Sequence, residues 1–220
     1  MKSANKAKLL LVSAFLIWGS IGVFVKLIGL SSGIVAFDRS LVGMLFLLCI
    51  KLMSKQKFDF STYKNEMLIL LLNGALLGVN WILLFESYEY TTVATSTICY
   101  NIGPMLVVLV SPIIFKERLT PVRILCAVVS LFGVTCVSGV FEQTDVTTSQ
   151  LWGVALGLLA AVVYAVTVIF NKRLDKINPL DKAIVQFFSS TVVMFIYCLF
   201  TTSAGELKLT FKNVVLLLVV

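Results

Sequence analysis

From Val93 to Phe115 the chain holds no charged residue, and at about 1.5 Å per helical residue that run is long enough to cross a bilayer core of about 30 Å. It stops abruptly at Lys116, Glu117 and Arg118. Lipid offers a backbone no hydrogen-bond partner, so such a run is restricted to a helix that satisfies its own amides. Six further apolar runs, at about residues 9–27, 34–53, 67–88, 122–140, 151–170 and 182–202, obey the same restriction. With 59% hydrophobic and only 13% charged residues, too few polar side chains remain to coat a water-soluble surface. The sequence predicts an all-α, polytopic membrane helical bundle seated in a lipid bilayer.

The same composition narrows function. The formal net charge is +7, but the basic residues fall in short groups between apolar runs and form no continuous patch for nucleic acid. Histidine is absent, and Cys49, Cys99, Cys126, Cys136 and Cys198 all lie inside apolar runs with no CxxC pair, so neither a metal site nor a cofactor is expected. No HExxH or GxSxG spacing occurs and no acidic pair lies deep in a span, so no catalytic residue is assigned and an enzyme is not expected. The first run is full length and carries Trp18 and Phe24 where a cleavable signal would need small residues, which reads as a retained first span.

Polar residues inside spans are costly unless they face protein or water, so they mark the candidate site. In the fourth span Thr95, Ser96, Thr97, Tyr100 and Asn101 cluster before Pro104, whereas the half after Pro104 is aliphatic. The first half is read as cavity lining and the second as packing. Trp18 in the first span, Asn80 in the third and Tyr164 in the sixth add aromatic and amide groups near the expected midplane. Trp18, Asn80, Tyr100, Asn101 and Tyr164 are therefore the candidate substrate-binding set; for Asn80, gluing helices together is an equally open reading. Arg39, with Asp38, is expected one turn into the second span, either handling charge or anchoring at the interface. Glu86 ends the third span, either as a proton-coupling group or as a loop carboxylate. The GALLG stretch from Gly74 to Gly78 puts two glycines on one helix face, a signal for close helix approach.

The order of a small polar run, Pro104, an aliphatic run, Pro112 and then PIIFKERLT resembles the fourth helix of an EamA-type repeat in the drug/metabolite transporter superfamily. Glu117 stands where that family carries an acidic residue just past the helix, and Arg39 where it often has an arginine in its second helix. The resemblance implies two inverted five-helix repeats and transport of small organic solutes such as amino acids, metabolites or drugs.

Fourteen of the eighteen Lys and Arg residues fall on one side if the N-terminus is cytoplasmic, which predicts that orientation in the cell membrane. Comparing the run that starts at Leu9 with the run from Leu156 and setting Lys26 against Lys172 aligns Phe24 with Phe170 and Trp18 with Tyr164 without gaps. An odd number of spans separates the two, so one copy must be inverted relative to the other. Residues 1–140 are expected to form a first EamA-like repeat and 151–220 a partial second, truncated within its third helix. The expected function is a secondary transporter, as exporter of a small-molecule solute by alternating access; the alternative is a noncatalytic membrane scaffold or an incomplete transporter fragment.

Overall fold

The computed structural model describes residues 8–10, 12–13, 16, 31–55, 63–64, 66–116, 120–137, 147–175 and 177–201. Two compact units divide the chain. In the unit formed by residues 1–31 and 203–220, the described residues between 8 and 16 are helical, and the Ser13 hydroxyl donates to the Leu9 carbonyl at 3.0 Å. Among the described residues the larger unit, residues 32–202, holds six helices: α1 (Ser32–Met53), α2 (Met67–Tyr90), α3 (Val93–Phe115), α4 (Pro121–Val137), α5 (Thr148–Arg173) and α6 (Pro179–Thr201). They correspond to the second through seventh apolar runs. No strand occurs among the described residues.

Local chemistry fixes the helix ends. Thr92 caps α3, its Oγ1 accepting from the Thr95 amide at 3.1 Å, and α3 stops where Lys116 adopts a left-handed conformation at φ 53°. Thr147 and Gln150 form a reciprocal capping box at the start of α5, with bonds of 3.3 and 2.9 Å. Pro121 and Pro179 open α4 and α6, positions where a missing amide hydrogen costs nothing. Capping explains why α5 and α6 each begin three residues before the apolar run does: the boundary is set by Thr147 and by Asn178, whose side-chain oxygen accepts from the Leu180 amide at 2.9 Å.

Five of the six helices are long and apolar enough to cross a membrane, and α4 is a shorter apolar helix. The radial distribution of residue types is that of a membrane bundle. Large side chains such as Ile113, Phe132, Leu199 and Phe200 are exposed, whereas Ala36, Ser40, Asn80, Ser87, Ser96, Ala160 and Ser190 are fully buried. Lipid tails are as apolar as leucine, so nothing drives leucine inward; small residues that permit close contact take the interior instead.

Neighbouring helices run α1, α6, α2, α5, α3, α4 across the unit. α1 and α6 are antiparallel: Gly33 meets Tyr197 and Cys198 at one end, Gly43 meets Phe187 midway, and Lys51 pairs with Asp181 at the other end. α2 and α6 run parallel and approach closely, where a Cβ on Gly74 would stand 2.5 Å from the Gln186 carbonyl oxygen. Ser189 seals this seam by donating to the Leu71 carbonyl at 2.7 Å. The close-packing reading of GALLG therefore holds.

Candidate functional site

Three of the expected site residues meet where α2, α3 and α5 converge. Asn80 is fully buried; its Nδ2 donates to the Ala160 carbonyl at 2.6 Å and its Oδ1 accepts from the Tyr100 hydroxyl at 3.2 Å. Tyr100 meets Tyr164 edge to face, with ring centroids 5.4 Å apart. Gly103, one turn on from Tyr100, makes this possible, because a Cβ there would stand 2.8 Å from the Tyr164 ring. Asn80 thus glues α2 to α5 and orients a tyrosine at once, so the two readings of this residue describe one geometry.

The cluster extends toward α1. The Arg39 guanidinium lies over the Trp81 ring at 5.0 Å from its centroid, and Trp81 in turn packs edge-on against Phe187 at 5.7 Å. Tyr88 and Tyr100 lie near enough to interact with the Arg39 charge. Because α1 begins at Ser32, Arg39 lies two turns into its helix rather than the single turn expected, about 10 Å along the axis.

Glu86 is not a loop residue: α2 continues to Tyr90, and the Glu86 carboxylate accepts a hydrogen bond from Tyr197 on α6. It stands apart from the tyrosine pair. Asn101 is half-buried on α3 but turned about 100° from Tyr100. Trp18 lies outside the described residues. The arrangement offers aromatic walls, one amide and one cation, and among the described residues no three His, Cys, Asp or Glu side chains gather to hold a metal.

The hydroxyl cluster of α3 divides on inspection. Thr97 donates to its own helix at the Val93 carbonyl, 2.6 Å away, and Thr95 belongs to the cap. Ser96 is structural in a different sense: its hydroxyl lies 2.5 Å from that of Ser87, which donates to the Gly153 carbonyl at 2.9 Å, joining α2, α3 and α5. Beyond Pro104 the expected packing half has no buried residue; Leu109, Ile113 and Ile114 are exposed, as aliphatic side chains are in contact with lipid. Both prolines are accommodated within one continuous helix.

Trp81 and Tyr88 escaped the sequence reading as site residues. Their signal was the spacing: seven residues apart, they share one face of α2, with Asn80 beside Trp81. Elsewhere, an open hollow of about 470 Å³ lined by Tyr90, Thr148, Ser149, Leu151 and Trp152 lies at the helix ends, away from this polar cluster.

The fold is that of a multi-pass membrane protein, with five described helices long and apolar enough to cross a bilayer. The chain belongs to the EamA-like transporter family, whose profile matches residues 5–139. It is 30% identical over 185 residues to the uncharacterized transporter YxxF of Bacillus subtilis (strain 168), a match covering 84% of this chain and 60% of that protein. The chain thus spans less than two thirds of that relative's length. A solved crystal structure shares the fold with a TM-score of 0.76, covering 98% of this chain and 73% of its own, at 14% identity.

Proposed function

We propose that this chain serves a secondary transporter that exports a small organic solute by alternating access and performs no covalent chemistry. In this reading Asn80, Tyr100 and Tyr164 line the solute path with Asn101, while Arg39 and Glu86 handle charge. The observation that carries it is the meeting of Asn80, Tyr100 and Tyr164 from three different helices, with polar atoms at spanning depth. Groups so placed are costly in lipid and repay that cost where a polar solute passes.

The antiparallel packing of α1 and α6 supports treating residues 1–140 and 151–220 as oppositely oriented copies, since these helices hold equivalent places in the two. An N-terminus in the cytoplasm of a cell-membrane protein follows from the Lys and Arg asymmetry. The test is counterflow in proteoliposomes, screening labelled amino acids, organic acids and amphipathic drugs. Tyr100→Ala and Asn80→Ala should each reduce flux of the transported solute about tenfold or more, as expected when a polar contact to substrate is removed. Unchanged flux in both variants would refute the assignment, and a fixed heteromer without flux of any solute would favour the scaffold reading.

A further inference from the structure

Arg39 is a cation at spanning depth without a carboxylate. A guanidinium remains protonated at any accessible pH, so it cannot escape desolvation by losing charge. Among the described residues, no Asp or Glu oxygen lies within 4.0 Å of it; the buried ion pair of this unit is Lys51 with Asp181, at the far end of α1. Asp38 precedes it in sequence and projects about 100° away around the helix. Glu86 is engaged by Tyr197, and its place five residues on from Trp81 puts it on a different face of α2. The Arg39 guanidinium rests on the Trp81 ring face, and Tyr88 and Tyr100 lie near enough to interact with its charge. These share the charge without neutralising it.

A guanidinium presents five N–H donors in a rigid plane, and one edge of that plane matches the two oxygens of a carboxylate. Among the described residues Arg39 is the one cation shown at this cluster, so a single negative charge balances it and a dianion would not. The aromatic groups next to it, Tyr100 and Tyr164, suit a flat or apolar body. An organic cation would meet repulsion from Arg39 with no carboxylate to receive it.

We propose that Arg39 is the anion-recognising residue of this site and that the solute is an amphipathic monocarboxylate, its carboxylate on the guanidinium and its apolar tail along Tyr100 and Tyr164. This rests on the reading that the cluster handles solute, and it narrows the solute to acids. The test uses the purified chain in lipid nanodiscs, titrated calorimetrically with three probes of one shape: 3-phenylpropionate, 3-phenylpropionamide and 3-phenylpropylamine. The acid should bind about tenfold or more tighter than the amide, and the amine weakest, as a site built around one charged contact discriminates against analogues lacking it. In Arg39→Gln the acid and amide should bind alike, whereas Arg39→Lys should retain a reduced preference for the acid.

Equal binding of acid and amide to the unmodified chain overturns the inference, whatever the variants do. So does an undiminished preference in Arg39→Gln. Binding without charge preference removes the inference and leaves the solute site standing; failure of all three probes counts against both.

Discussion

Replacing Gly74 by alanine adds one methyl group at a tight seam of the bundle. That carbon would lie 2.5 Å from the Gln186 carbonyl oxygen, 2.7 Å from the Gln186 Cα and 2.8 Å from the Ser189 Cβ. Two of the three are backbone atoms, so no rotamer change relieves the clash. Ordinary carbon contacts require about 3.5 Å or more, and α2 and α6 must therefore part by roughly 1 Å. Overpacking of this kind costs about 1–3 kcal/mol. Separation also strains the bond from Ser189 to the Leu71 carbonyl, worth about 0.6 kcal/mol on average for a polar contact between spans. Alanine recovers about 1 kcal/mol of helix propensity, which leaves a net loss of about 0.5–2.5 kcal/mol.

Two other glycines calibrate the argument. At Gly78 the nearest atoms would stand 3.1–3.2 Å away, a conflict that a shift of a few tenths of an ångström relieves, and at Gly133 nothing lies within 4 Å. The expected order of destabilisation is Gly74→Ala, then Gly78→Ala, then Gly133→Ala, the last neutral or slightly stabilising. Reversible unfolding by SDS in mixed micelles, followed by circular dichroism, measures it. If Gly74→Ala proved as stable as Gly133→Ala, the account of this interface as held by close backbone approach would be wrong.

Asp181→Leu should destabilise by about 3–5 kcal/mol in the same assay, because it removes the carboxylate paired with Lys51, which is buried with it between α1 and α6. Adding Lys51→Met to that variant should restore most of the loss, and a double variant as weak as the single would show that the charge pair is not the cause. For topology, cysteine introduced at Lys55 should react with a membrane-impermeant maleimide only from the cytoplasmic side, and cysteine at Ser149 only from outside; the reverse pattern would invert the assignment made from charge asymmetry.

The apolar runs, their lengths and the alternation of basic groups were legible in the sequence because lipid leaves a backbone so few alternatives. α3 matches its expected bounds, and the glycine pair at Gly74 and Gly78 packs as its spacing suggested. Helix starts were less legible, since capping by Thr147 and Asn178 extends α5 and α6 beyond their hydrophobic limits. The hydroxyl cluster of α3 was the least informative feature: the side chains of Thr97 and Ser96 look alike in sequence, yet one bonds to its own turn and the other joins three helices. That distinction depends on which neighbour faces each residue, a property of the bundle rather than of the span.

The sequence alone determined that this chain is a stack of membrane-crossing helices and which of them carry polar groups, because those follow from hydrophobicity and from the energetic cost of exposing amides to lipid. Only tertiary structure decided that Asn80, Tyr100 and Tyr164 converge, that Glu86 belongs to Tyr197, and that Arg39 rests against Trp81 with no carboxylate of the described residues beside it. The physical reason is that residues distant in the chain become partners through helix rotation and order across the bundle. Small residues such as Gly74 and Gly103 set those by where they allow two backbones or a ring to approach.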